Sequence, residues 1–346
     1  MPRATPRPAL LRSALIGLLG VTALPAAESA AAATGFAARD WPSYLGDQAR
    51  THYSTLTRIN RQNVGRLQVA WTFDTGTKGE YQSNNLIVEG VLYTAAPDRK
   101  IIALDAATGR ERWRFDPAAE HNETMGRRQR GVMYWASGED RRLFTPGATR
   151  LYCLDARTGK VVRSFGENGS IALGAGLRSE GAAPTAGLNT PGVVWRDLLI
   201  LSANVAENVP GAVRAFDVRT GALSWVFHTI PRPGEAGHET WPAEAWKTAG
   251  GASAWSGLSL DESRGIVYAA TETAGPDFWG GRRYGENLYA NSLVALDAQT
   301  GRRLWHHQLV HHDLWDMDLP APPTLLTVKH GGRRIDAVAQ IGRAHV

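Results

Sequence analysis

The segment HHDLWDMD, His311–Asp318, places several reactive side chains at close spacing. It carries two histidines and three carboxylates, Asp313, Asp316 and Asp318, within eight residues. Carboxylates can act as general bases or bind a hard cation such as Ca²⁺, whereas imidazoles favour transition metals. From the residues alone, a solvated acidic turn is an equally good interpretation.

A transition-metal site is another interpretation of this region. Neighbouring residues of a strand point to opposite faces, so adjacent histidines cannot face one ion together, and no His-x-His pair occurs here. The spacing therefore disfavours this site, and with it a metal-dependent hydrolase. Its candidate ligands are His306, His307, His311, His312, Asp313 and Asp316.

Four copies of one phrase indicate the elements that would position these residues. Each copy predicts a strand, then Asp-x-x-Thr-Gly, then a strand that often ends in Trp. Asp can cap backbone N–H groups and Gly accepts a positive φ, so the phrase predicts a hairpin. The copies are ALDAATGRERWRF (103–115), CLDARTGKVVRSF (153–165), AFDVRTGALSWVF (215–227) and ALDAQTGRRLWHH (295–307).

Strand pairs upstream of the phrases, such as Leu86–Ala96 and Gly192–Ala203, complete a larger repeat. Four strands in a unit of roughly 50 residues are typical of a β-propeller blade. The sequence thus predicts an all-β fold, with a β-sandwich of similar hairpins as the alternative. We expect Leu67–Phe73 to serve as a closing strand. Three tryptophans, each four residues after the Gly of a phrase, should pack on the next repeat: Trp113, Trp225 and Trp305.

The composition is that of a globular protein. Of 346 residues, 43% are hydrophobic and 21% charged, which excludes a disordered chain and a coiled coil. The net charge of +5 comes without a long Lys/Arg run, so we expect no nucleic-acid partner. Cys153 stands alone, which excludes an intrachain disulfide and a Cys-based zinc site. Its alternating apolar neighbours predict a buried structural thiol.

Residues 1–33 are predicted to be a signal peptide. Three arginines accompany the apolar stretch Ser13–Leu24, and alanines suited to cleavage follow it. The stretch is short for a bilayer, and no other segment approaches about 20 apolar residues. We therefore expect a periplasmic protein without a transmembrane helix in the mature chain; a retained anchor is the alternative. Residues 34–340 form the predicted propeller, and residues 341–346, which a common sequencing-adapter string encodes, are expected to be non-native.

The phrase and its surroundings resemble the quinoprotein dehydrogenases, which use pyrroloquinoline quinone (PQQ). The resemblance runs from Asp40 to about Gln340 and is most specific in HHDLWDMDLPAPP (311–323). It is nearer to membrane-type glucose dehydrogenases than to methanol dehydrogenases. It implies an eight-bladed β-propeller, of which this chain supplies about the first half as an apparent C-terminally truncated fragment. The other matching segments are DWPSYLGD, INRQNVGRLQVAWTFDTG, RGVMYW, SFGENG, HTIPRPGE and ETWP.

The resemblance implies a base and a cofactor site. Asp316 matches the general base of the family. Arg130 matches an arginine that pairs with a PQQ carboxylate, and Trp255 matches a tryptophan that lies flat beneath the PQQ ring. A surface arginine and a tryptophan between blades are the plainer interpretations. Weaker candidates for contacts to PQQ are Gln82, which stands at a family Glu position, and Asn189, Thr190 and Asn204.

The resemblance also implies a calcium ion beside PQQ. Glu207 and Asn208 lie where the family places an acidic ligand, and Asp316 borders the ion. Gly275 stands where the methanol branch has an Asn ligand, so Glu207, Asp316 and the cofactor would hold the calcium. Trp135 stands where the glucose branch has His, which leaves the sugar preference open.

These residues together predict a PQQ-dependent dehydrogenase that oxidises a sugar or other alcohol. The expected reaction sends hydride to the quinone, with Asp316 as base and calcium as Lewis acid, and electrons to cytochrome c or ubiquinone. The fragment alone is expected to be inactive because the later blades are missing. The alternative is a non-catalytic scaffold like the outer-membrane assembly lipoprotein. That protein has the same phrase but would need a lipid-modified Cys after the signal.

Overall fold

The computed structural model describes residues 40–121, 128–177, 184 and 186–342. Its regular structure is almost entirely β, as the sequence predicts. The predicted signal peptide and residues 343–346 of the predicted tail lie outside the described residues. Within the described ranges, no helix has the length and apolar character needed to cross a membrane. The short helical segments are α1 (Pro117–His121), α2 (Ala245–Thr248) and 3₁₀ turns at Val64–Arg66 and His238–Thr240.

Antiparallel four-stranded sheets follow one another along the chain, each with its strands in sequence order. The first sheet contains β1 (Leu86–Val88), β2 (Val91–Ala95), β3 (Ile101–Asp105) and β4 (Glu111–Phe115). The second contains β5 (Met133–Ser137), β6 (Asp140–Pro146), β7 (Arg150–Asp155) and β8 (Ser170–Ala172).

The third and fourth sheets each carry an additional two-stranded ladder. The next strands are β9 (Ala186–Gly187), β10 (Val193–Trp195), β11 (Leu198–Ser202), β12 (Asn204–Val205), β13 (Ala212–Asp217) and β14 (Leu223–His228). Then come β15 (Gly250–Gly251), β16 (Leu258–Asp261), β17 (Ile266–Ala270), β18 (Ala274–Gly275), β19 (Ser292–Asp297) and β20 (Arg303–Gln308). Strands β9 and β12 pair, as do β15 and β18, and the others form the two sheets. A hairpin of β21 (Thr324–His330) and β22 (Arg333–Ala339) follows.

The predicted Asp-x-x-Thr-Gly turns are present at one end of each four-stranded sheet. In the first, the Thr108 N–H and hydroxyl donate to Asp105 Oδ1 over 3.1 and 2.9 Å, and Gly109 has φ +70°. A side chain at this φ would be strained, which is why the turn uses glycine. We call this the turn end. The opposite end is the loop end, where the chain passes from the second to the third strand and from one sheet to the next.

Tryptophans join each sheet to the next at the turn end. Trp113 Nε1 donates to Ala156 O over 3.1 Å, and a Cβ on Gly159 would lie 2.5 Å from the Trp113 ring. Trp225 makes the same contact with Ala298 O and Gly301, as predicted. Only glycine leaves room for the indole, so one residue type serves both the turn and the sheet contact. Trp305, in the last four-stranded sheet, is 40% exposed.

The core lies between successive sheets. Adjacent residues of β6 face opposite neighbours, because Leu143 packs in the cluster shared with the first sheet and Phe144 in the cluster shared with the third. Burial on both faces explains why the inner strands β3 and β7 are mainly apolar. Cys153 is fully buried in the second cluster, and burial raises the pKa of its thiol to about 12. It is a structural thiol, as predicted.

Two predicted strands do not form. No strand spans Leu67–Phe73, since no described strand pairs with it along the backbone; Leu67 and Val69 are exposed. Trp71 of this segment nevertheless packs over Gly109. In the second repeat, the chain turns at Gly166–Gly169 instead of continuing Val161–Phe165 as a strand, and β8 becomes the outer strand.

Candidate active site

The residues singled out by the sequence all lie at the loop end. Each of these residues either precedes the first strand of a four-stranded sheet or follows the second or fourth strand of one. Gln82 precedes β1, Arg130 precedes β5, Asn189 and Thr190 precede β10, and Trp255 precedes β16. Asn204, Glu207 and Asn208 follow β11, Gly275 follows β17, and Asp316 follows β20. Long connections from four sheets therefore build one surface on a rigid scaffold.

Arg130 and Trp255 are direct neighbours. The guanidinium carbon of Arg130 lies 5.5 Å from the Trp255 ring centroid, and Arg130 Nη1 donates to Thr190 Oγ1 over 3.0 Å. The Arg130 N–H donates to Asn189 O over 2.7 Å, which fixes the backbone from which the guanidinium extends. A planar cation beside an indole suits a flat, anionic ligand.

The segment His311–Asp318, called the acidic segment below, contacts Trp255 through Asp318. Trp255 Nε1 donates to Asp318 Oδ2 over 3.0 Å, and the Thr273 N–H donates to Asp318 Oδ1 over 3.0 Å. Burial raises the pKa of Asp318; the Thr273 bond opposes this, and the charge of Asp316 adds to it. No role was predicted for Asp318, although it lies two residues after Asp316.

Five carboxylates share this part of the loop end. Burial, followed by the negative charges of Glu207, Asp316 and Asp318, raises the pKa of Asp277 to about 6. Burial also raises the pKa of Glu272 to about 8, although its carboxylate accepts the Ser253 N–H over 2.9 Å. Crowded acids of this kind favour a bound proton or a bound cation. Asp277 and Glu272 were not identified from the sequence.

Gly275 cannot be replaced by a ligating side chain. A Cβ at this position would lie 2.4 Å from Glu207 O and 2.9 Å from Glu207 Cβ. The close approach of β18 to Glu207 therefore accounts for the glycine. Asp277, two residues further, brings a carboxylate to the same region instead.

The remaining candidate residues differ in their burial and in their hydrogen bonds. Asn204 Oδ1 accepts the Asn189 N–H over 3.0 Å, so its oxygen holds the loop. Gln82 Nε2 donates to Glu80, while Gln82 Oε1 is buried and has no hydrogen-bond partner among the described residues. Glu207 and Asn208 are exposed. An orphaned buried oxygen at this end is what a missing polar ligand would leave.

The described residues do not form a histidine metal site. In residues 40–121, 128–177, 184 and 186–342, no three His, Cys, Asp or Glu side chains lie close enough to hold a metal on their own. His306 packs edge-on against Tyr289, and His312 Nδ1 lies 2.9 Å from Gly285 O.

Trp135 is a sheet-packing residue. It is buried in β5, and its Nε1 donates to Arg196 O over 2.9 Å. Arg196 follows β10, so this contact lies at the turn end. Trp135 thus joins its sheet to the next at the turn end, from the first strand of the sheet and at a different turn from Trp113.

Comparison with known proteins identifies the family to which this chain is similar. The family model for the PQQ glucose/ethanol/alcohol dehydrogenase β-propeller domain matches residues 41–345. Quinoprotein glucose dehydrogenase A of Acinetobacter calcoaceticus is 35% identical, over 91% of this chain and 43% of the relative. Quinoprotein glucose dehydrogenase of Escherichia coli K12 is 32% identical, over 93% and 43%.

Solved structures show the same likeness. Quinohemoprotein alcohol dehydrogenase from Comamonas testosteroni superimposes with a TM-score of 0.75 at 26% identity, covering 88% of this chain and 46% of that one. A europium-containing methanol dehydrogenase gives a TM-score of 0.72 at 25% identity, covering 88% and 55%.

A four-stranded repeat with this loop end defines a quinoprotein-type propeller. The chain belongs to the PQQ-dependent glucose, ethanol and alcohol dehydrogenase β-propeller family. It spans about 43% of the length of the two glucose dehydrogenases. The predicted family and fold are thereby confirmed.

Proposed function

We propose that the protein carrying this chain is a periplasmic PQQ-dependent dehydrogenase that oxidises a sugar or other alcohol. The contact that carries the proposal is the Trp255–Asp318 hydrogen bond. It joins the predicted cofactor platform to the segment that holds the predicted base. Electrons would pass on to cytochrome c or ubiquinone.

The residues present fit PQQ and a calcium ion. Trp255 offers a ring face, Arg130 a cation for a carboxylate, and Gln82 Oε1 an unused acceptor. Glu207 and Asp316 are oxygen donors of the type that Ca²⁺ prefers, with Asn208 beside them. When bound, PQQ would accept hydride and Ca²⁺ would polarise its carbonyl.

The chain's own residues would position and deprotonate the substrate. Asp316 would take the proton of the substrate hydroxyl at its carboxylate as hydride leaves the carbon that bears this hydroxyl. Asp318 would hold the indole of Trp255, and Arg130, itself held by Thr190, would orient the cofactor. The crowded carboxylates favour this function over the scaffold, because like charges destabilise a fold unless a ligand offsets them.

Asp316→Asn tests the proposal in a full-length protein that carries this sequence. We expect turnover to fall by about 10²-fold or more, because an amide cannot accept the proton, while PQQ affinity stays nearly unchanged. Steady-state kinetics and a PQQ titration of the apoprotein measure the two effects. Asp297→Asn, at the turn end, is the matched control and should keep its turnover. Near wild-type turnover of Asp316→Asn would contradict the assignment.

A further inference from the structure

Asp313, at the start of the acidic segment, is a buried carboxylate with no part in the function proposed above. It is 3% exposed. Its Oδ1 accepts the Trp315 N–H over 3.0 Å, and its Oδ2 accepts the Met317 N–H over 2.6 Å. These two amides flank Asp316, so one side chain holds the backbone on both sides of that residue.

A second loop binds the same carboxylate. The Thr273 hydroxyl and Asn291 Nδ2 both donate to Asp313 Oδ2, the latter over 3.2 Å. Asn291 Nδ2 also donates to Met317 O over 2.9 Å. The acidic segment is therefore tied to the connection that follows β17, which also carries Glu272 and Asp277.

A buried cation offsets the charge of this carboxylate. Arg283 Nη2 donates to Asp313 O, and its guanidinium attracts the Asp313 side chain. Burial alone would raise the pKa of Asp313, but hydrogen bonds from Thr273, Trp315, Met317 and Asn291 hold it below its ordinary value. An ionised Asp313 can accept from all of its donors at once.

The backbone at Asp316 needs such support. Asp316 has φ +55°, in the left-handed region that non-glycine residues adopt at a cost. With both flanking amides bound to Asp313, the segment cannot relax to an extended conformation without breaking those bonds. Strain of this kind persists at functional sites when the surroundings hold it in place.

We propose that Asp313 is a positioning residue, which with Thr273 and Asn291 holds the Asp316 carboxylate in the orientation needed to take a proton from the substrate. The inference rests on the proposed function of Asp316. It assigns Asp313 no contact with substrate or cofactor. Loss of Asp313 should therefore affect the chemical step more than binding.

Asp313→Asn in the full-length protein is the first test. The amide nitrogen cannot accept, so one flanking N–H loses its partner and Asp316 can turn away. We expect kcat to fall by about 10- to 100-fold, since a displacement near 1 Å can cost this much. KM and PQQ affinity should change by less than about threefold. Asp155→Asn is the matched control, because Asp155 binds the Thr158 N–H and hydroxyl over 2.8 and 2.7 Å at the turn end.

If Asp313→Asn does not fold, two variants at Thr273 test the inference instead. Thr273→Val removes the hydroxyl at constant shape and should lower kcat, whereas Thr273→Ser keeps the hydroxyl and should restore it. Normal kcat in Asp313→Asn or in Thr273→Val would overturn the inference. So would equal losses in Thr273→Val and Thr273→Ser, or a loss of kcat in Asp155→Asn as large as in Asp313→Asn.

The Asp316→Asn variant separates this inference from the proposed function. If Asp316→Asn keeps its turnover, the proposed function fails and the positioning role fails with it. If Asp316→Asn is inactive while Asp313→Asn turns over normally, only the positioning role is wrong.

Discussion

Aspartates occupy both the turn end and the loop end of the sheets, but their surroundings lower the pKa of Asp105 at the turn end and raise that of Asp277 at the loop end. At the turn end, the hydrogen bond from Arg112, aided by Thr108, lowers the pKa of Asp105 to about 2. The Thr300 hydroxyl likewise lowers the pKa of Asp297. At the loop end, burial and neighbouring carboxylates raise the pKa of Asp277 to about 6.

The turn-end carboxylates stabilise the fold, whereas we expect the crowded loop-end carboxylates to bind a ligand. Each turn aspartate is half-buried and supplied with donors from its own hairpin. The loop-end acids crowd one another and lie beside an indole and a guanidinium. Perturbed acids in such a place mark a functional site.

The largest effect is expected from the turn end, in stability. Trp113→Ala should lower the free energy of unfolding by about 3 kcal/mol, because it empties the space over Gly159 and removes the bond to Ala156 O. Urea unfolding measures this loss. PQQ affinity of the folded variant should stay unchanged. An effect under about 0.5 kcal/mol would show that this contact does not hold the sheets together.

A smaller effect is expected from the loop end, in the pH dependence of stability. Because burial raises the pKa of Glu272 from 4.5 to about 8, the folded state keeps a proton that the unfolded state releases. This contribution is complete below about pH 4.5 and is lost as the pH rises through 8. Glu272→Gln should therefore reduce the loss of stability between about pH 5 and pH 8 by about 1 kcal/mol or more.

Urea unfolding at several pH values checks this slope. Asp105→Asn is the control, because Asp105 stays ionised over the whole range and its loss should not change the slope. Parallel curves for Glu272→Gln and the wild type would contradict the distinction between the two ends.

The repeat could be predicted because the residues that form each turn lie next to one another in the sequence. Asp105, Thr108 and Gly109 lie within five residues, and the same turn chemistry recurs in every sheet. The prediction failed at Val161–Phe165, where the turn-forming stretch Gly166–Gly169 ends the strand early, and at Leu67–Phe73, where a strand needs a partner.

The site could be predicted only in part because its contacts span long stretches of chain. The family resemblance predicted roles for Arg130, Trp255 and Asp316. The structure brings the first two of these into contact. Trp255 and Asp318 are 63 residues apart, and Thr273 and Asp313 are 40 apart. No spacing within a motif signals such pairs, so the roles of Asp318 and Asp313 emerge only from the fold.

A crystal structure of the full-length protein loaded with PQQ and Ca²⁺ tests the central claim most directly. We expect PQQ on the Trp255 ring with Arg130 at one of its carboxylates, and the cation between Glu207 and Asp316. PQQ bound elsewhere, or a protein side chain covering the Trp255 face in the loaded protein, would contradict the assignment of the loop end as the active site.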